Sequence, residues 1–132
     1  MQFKIHTYYA IRTLRFVHMR GGETLTAMQV AIAVGTTTPI IVKIAARLKK
    51  AGMLKTIQGG QGGYILGKPV SEISIYDVFV CIEGELRINH YVKSGEVCSQ
   101  DEQAECKMHE VLYSLEDDLI KKLSSVFISD LV

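Results

Sequence analysis

Apolar residues recur at helical spacing through the first fifty positions of the chain. Ala10, Leu14 and Val17 mark one face of a helix predicted over Thr7 to His18 and ended by Gly21 and Gly22. A second helix is predicted from Ala27 to Val34. Thr26 and Gln29 have the spacing of a capping box, Leu25 and Val30 that of a hydrophobic staple, and Gly35 stops it. A third runs to Ala51, with Thr38 as its N-cap and Pro39 at the first helical position. The pattern then changes to two short β-prone runs, Lys55 to Ile57 and Tyr64 to Leu66. The turn between them, Gly59-Gly60-Gln61-Gly62-Gly63, predicts a β-hairpin. A fourth helix is predicted after Ser74, boxed by Asp77, with Ile75, Val78, Phe79 and Ile82 as its stripe and Gly84 as its end.

Residues 85–106 show no clear period. An irregular stretch of that length inside a small domain is usually functional. After it, Met108, Val111, Leu112, Leu115, Leu119, Leu123 and Val126 form one face of a long amphipathic helix. That face is longer than one small domain needs to cover, which predicts a second copy of the chain packed on it, with part of it resting on the first helix. The expected class is therefore mainly α with a small β-hairpin. It divides into a unit of four helices and the hairpin at 1–84, a cysteine-containing loop at 85–106, and a dimerisation helix with its tail at 107–132.

Charge adds the first functional clue. The formal net charge of the 132 residues is +1. Residues 1–69 nonetheless carry ten Lys or Arg against the single acid Glu23, while residues 70–132 carry five against thirteen acids. A basic half of that strength calls for a polyanion, with nucleic acid ahead of a membrane surface. No apolar run reaches the roughly 20 residues of a membrane span, and the Lys and Arg scattered through the first twenty positions are unlike a signal peptide. Three cysteines are too few for a secreted disulfide framework, so the expected setting is the cytoplasm.

The second and third helices fit a helix-turn-helix. Ala31 supplies the small residue where the helices touch, Gly35 the turn, and Ile41 and Ile44 the inward face. The candidate reading surface is Thr36, Thr37 and Thr38 beside the free N–H groups of the third helix, with Pro39, Ile40, Lys43 and Arg47 along it. The Gly-rich hairpin then becomes a wing, with Gln58, Gly59, Gly60 and Gln61 at its tip. No Lys-Ser/Thr pair follows the glycines, which excludes a P-loop. A nucleophile elbow and an HExxH are equally missing, so an enzyme is not expected.

These residues also carry a resemblance. Tyr9-Ala10-Ile11-Arg12, Arg47-Leu48-Lys49-Lys50-Ala51-Gly52-Met53-Leu54, Gly62-Gly63-Tyr64-Ile65-Leu66-Gly67, Ile73-Ser74-Ile75-Tyr76-Asp77-Val78 and Ser129-Asp130-Leu131-Val132 together resemble the Rrf2 family of winged helix-turn-helix transcription regulators, of the IscR, NsrR and CymR kind. The resemblance covers nearly the whole chain. It implies a homodimeric, sequence-specific regulator of double-stranded DNA, here taken as a repressor on a pseudo-palindromic operator. Relatives often place an arginine where Gln58 stands.

The resemblance further implies an iron–sulfur cluster, [2Fe–2S] or [4Fe–4S], bound by cysteines ahead of the dimer helix. Cys98, Cys106 and His109 are the candidate ligands, but the first loop cysteine of the family pattern is missing. A cofactor-free thiol/disulfide switch of Cys98 and Cys106 is the alternative for sensing. An interaction adaptor that has lost DNA binding is the alternative for the whole. Cys81 is read as a small core residue.

Overall fold

The computed structural model describes residues 3–88 and 103–132, with the side chains of 103–106 excepted. Its elements are α1 (Ile5–Met19), α2 (Ala27–Val34), α3 (Thr38–Lys50), β1 (Leu54–Ile57), β2 (Gly63–Leu66), α4 (Ile75–Glu83) and α5 (Gln103–Ser125). Single 3-10 turns at Val70–Glu72 and Ile128–Leu131 flank the last two helices. The mainly helical class with one small hairpin is as expected.

Local chemistry explains most boundaries. Thr26 accepts from the Gln29 N–H at 3.2 Å, while its own N–H donates to the Gln29 side chain at 2.9 Å. Ser74 and Asp77 close the same reciprocal pair at 3.0 and 2.9 Å. Each box satisfies N–H groups that the first helical turn leaves without a partner. At α3 the cap is Thr37, one residue before the expected Thr38, and no side chain bonds across it. Proline lacks only an N–H that any position of the first turn leaves free, so Pro39 allows the helix to begin one residue earlier.

The strands pair antiparallel, with Leu54 opposite Leu66 and Ile57 opposite Gly63. Leu25 adds an isolated antiparallel bridge to β2: it exchanges both backbone hydrogen bonds with Tyr64, at 3.1 and 2.7 Å, immediately before α2 begins. The wing is thereby fixed to the start of the helix pair.

The core is built from inward faces of α1 to α4, with Leu14, Ile41, Leu48, Ile73 and Val78 essentially sealed. The buried hydroxyl of Thr13 donates to the Tyr9 carbonyl at 2.7 Å, and that of Thr7 donates to Glu83. The chain's end belongs to this core as well. Ile128 is fully buried, its N–H donates to the Ile73 carbonyl at 2.9 Å, and the Ile75 N–H donates to the Val126 carbonyl at 2.8 Å.

Two further features differ from the sequence reading. α5 starts at Gln103, inside the stretch that showed no period, because its first turn is polar and lacks an apolar repeat. Its principal neighbour is α4 rather than α1. The Ile88 N–H, just beyond α4, donates to Glu116 of α5 at 2.9 Å.

Candidate nucleic-acid interface

The axes of α2 and α3 meet at 105° across the short turn at Gly35. That angle lies in the range of a helix-turn-helix. Gly35 has φ of 89°, which an L side chain rarely adopts, and its N–H donates to the Ala31 carbonyl at 2.9 Å. Ala31, Ile41 and Ile44 are buried together.

α3 consequently turns Pro39, Val42, Lys43, Ala46 and Lys50 outward. Thr37 and Thr38 are exposed at its N-terminus and Thr36 is half-buried. Because no side chain caps Thr37, its hydroxyl and the adjacent N–H groups are open to an acceptor from outside. Ile40 is half-buried against the core. Arg47 is exposed along its stem, but its guanidinium donates to the Ile82 carbonyl of α4 at 2.8 Å.

The wing tip, Gln58 to Gln61, is fully exposed. It turns through a bond from the Gly62 N–H to the Gly59 carbonyl at 2.9 Å. A side chain at Gly62 would overlap the Ile57 carbonyl, and one at Gly63 would overlap the carbonyl of Leu25. Glycine at these places is thus required by close backbone approach.

Sequence reasoning missed the region beside α3. Lys4 and His6 from the start of α1 face Lys43 and Arg47 across a cleft whose other wall is the end of α4. Glu83 holds that corner, accepting from the Lys4 N–H at 3.2 Å and from the Thr7 hydroxyl. The only available sequence signal was a lysine at the first helix's start. Cys81 is half-buried, and its thiol donates to the Arg47 carbonyl at 3.3 Å. Burial pushes this thiol up from its ordinary range, and the nearby Arg47 charge partly opposes the shift.

The long stripe of α5 divides. Met108, Val111 and Leu115 are about half exposed, Leu112 and Leu119 are half-buried, and Leu123 and Val126 pack against the core. Val126 lies just past the helix end. Of the candidate sensor ligands, Cys98 lies outside the described residues. Cys106 is on α5 one turn before the half-buried His109, with its side chain outside the description. Among the described residues no group of three or more His, Cys, Asp or Glu could hold a metal ion. No single helix among them is long and apolar enough to cross a membrane.

Comparison with known proteins agrees with this geometry. "Protein aau3" of Rhizobium meliloti (strain 1021) is 30% identical over 97 residues, which span 74% of this chain and 63% of that protein. The T. potens IscR structure superposes with a TM-score of 0.76 at 22% identity, covering 99% of this chain and 85% of that one. CymR, the global cysteine regulator of B. subtilis, superposes with a TM-score of 0.78 at 20% identity, covering 99% and 95%. A family model named Rrf2, described as an iron-dependent transcriptional regulator, matches residues 3–132. The chain therefore belongs to the Rrf2 family of transcriptional regulators, whose work is recognition and not catalysis.

Proposed function

We propose that the chain is a sequence-specific DNA-binding regulator, acting as a homodimer that represses from a pseudo-palindromic operator. The observation that carries this reading is the outward face of α3, uncapped at Thr37 and lined by Lys43 and Lys50, with the exposed wing fixed beside it through Leu25 and Tyr64. A recognition helix enters the major groove by its N-terminus. Thr36, Thr37 and Thr38 offer hydroxyls and backbone N–H groups there, and Pro39 and Ile40 offer apolar surface to thymine methyls. Lys43 takes a phosphate. Arg47 has five N–H donors in all, so its bond to Ile82 leaves others for the same backbone. Gln58 and Gln61, carried on Gly59 and Gly60, read the minor groove as neutral amides.

Met108, Val111 and Leu115 support the homodimer, since each is about half exposed among the described residues and together they form an apolar strip. Leu112, Leu119, Leu123 and Val126 back that strip from inside. A two-fold axis through α5 would set two α3 helices for successive major grooves, about 34 Å apart.

Binding of fluorescent duplexes over a range of salt tests the reading. Lys43→Ala should weaken binding to every sequence and lower the salt slope by about 0.9. Thr37→Ala and Gln58→Ala should alter sequence preference instead. Unchanged binding in all three variants refutes this docking, and wild type that ignores duplex altogether makes the chain an adaptor.

Sensing rests on Cys106 and His109, one turn apart on α5, with Cys98 preceding them. These residues would hold an iron–sulfur cluster, with one further ligand, and the cluster would supply a redox-sensitive charge at the head of α5. Iron content and absorbance after anaerobic purification decide this. A colourless, iron-free dimer that still binds DNA assigns sensing to the Cys98 and Cys106 thiols alone.

A further inference from the structure

The cleft between α1, α3 and α4 has a volume of about 170 Å³ and is lined by Lys4, His6, Lys43, Arg47, Ile82 and Glu83. Three permanent cations thus face one carboxylate, and Glu83 is already engaged by the Lys4 N–H and the Thr7 hydroxyl. Among the described residues none of the three cations forms an ion pair. Like charges gathered without counterions repel one another, so the arrangement is favourable only when an anion joins it. Glu83 answers the N-terminal dipole of α1, which leaves the side chains of Lys4, Lys43 and Arg47 as the cationic lining.

We propose that this cleft is a second phosphate site, which takes a backbone phosphate flanking the bases read by α3. Position identifies the ligand. Lys43 lies on the outward face of α3 and also lines the cleft, so a duplex against α3 passes the cleft mouth. Lys4, at the start of α1, then holds the strand from a second element. The backbone is then met by Lys43 on α3 and by Lys4 on α1, and both contacts set the register of α3 in the groove. This inference rests on the DNA-binding reading above. A free phosphate ion shares the chemistry, so the test separates the two sources.

The experiment compares wild type, Lys4→Ala, Lys4→Glu and the distant control Lys121→Ala on an operator duplex and an unrelated duplex across a salt series. Lys4→Ala keeps the backbone N–H that Glu83 holds, and circular dichroism checks the fold of each variant. The expected result is a slope lower by about 0.9 for Lys4→Ala on both duplexes, a larger loss for Lys4→Glu, and no change for Lys121→Ala. Calorimetric titration of the free protein with inorganic phosphate should show no saturable binding. If wild type binds duplex with a normal slope and both Lys4 variants match it, the cleft site is overturned while the DNA-binding reading stands. Saturable phosphate binding that Lys4→Ala abolishes, with DNA affinity unchanged, overturns it in favour of a small-anion site. Failure of wild type to bind any duplex removes both.

Discussion

The guanidinium of Arg47 donates to the carbonyl of Ile82 at 2.8 Å, and the thiol of Cys81 donates to the carbonyl of Arg47 at 3.3 Å. One residue of the reading helix is thus tied at both its ends to the last turn of α4. Ile82 is two positions before Gly84, which ends α4. Arg47→Ala should therefore lower stability by about 1 kcal/mol as well as weakening DNA binding, whereas Lys43→Ala should change binding alone. Urea unfolding beside a binding isotherm separates the two, and equal stability of both variants would contradict the tie.

The wing's glycines differ in what they tolerate. Gly63→Ala places a methyl against the Leu25 carbonyl and Gly67→Ala places one against the Gly52 carbonyl, so each should cost about 2 kcal/mol or more. Nothing lies near a side chain at Gly60, and Gly60→Ala should stay within about 0.5 kcal/mol of wild type. Thermal or urea melts of the three variants measure the contrast. A Gly63→Ala protein as stable as Gly60→Ala would mean that the Leu25–Tyr64 bridge is dispensable.

The divided stripe of α5 makes a prediction about assembly. Val111→Asp and Leu115→Asp alter positions about half exposed in one protomer, so each should yield a folded monomer. Leu123→Asp instead inserts a carboxylate against the core and should unfold the chain or destabilise it by several kcal/mol. Light scattering with circular dichroism reads both quantities. Dimers that persist in Val111→Asp and Leu115→Asp would move the two-fold contact elsewhere.

Cys81 should be the slow thiol. Its pKa is raised by burial, so little thiolate exists at neutral pH, and alkylation there should lag behind that of a free model thiol. In a Cys98→Ser, Cys106→Ser background the lag can be followed directly by mass spectrometry. Arg47→Ala removes the opposing charge and should slow labelling further. The sign for stability follows from the raised folded value. The contribution is constant below the unfolded thiol's range and declines as pH rises through the folded value.

What the sequence disclosed and what it withheld divide by range. Both capping boxes were legible because Thr26–Gln29 and Ser74–Asp77 act within four residues of chain. The Ala31, Gly35, Ile41 and Ile44 pattern was legible because helix period alone fixes which side is buried. Arg47 has the period of an outward residue and is exposed, yet its partner is 35 positions away and chosen by how α3 meets α4. The cleft at Lys4 was hidden for the same reason, since Glu83 reaches back across 79 positions to fix that corner. The start of α5 escaped because Gln103, Ala104 and Glu105 present no apolar face to count.

The bridge between Ser74 and Phe127 gives the second half of the chain a particular freedom. It joins the start of α4, itself packed in the core, to the residues just after α5, and so closes the chain between them into a loop. Adding residues inside a closed loop costs little, since doubling its length adds only about 0.6 kcal/mol of closure entropy. Residues can thus be added or respaced between α4 and α5 while the bridge keeps the start of α4 in register with the core. On the proposed function, such changes would alter the signal sensed without altering how DNA is held.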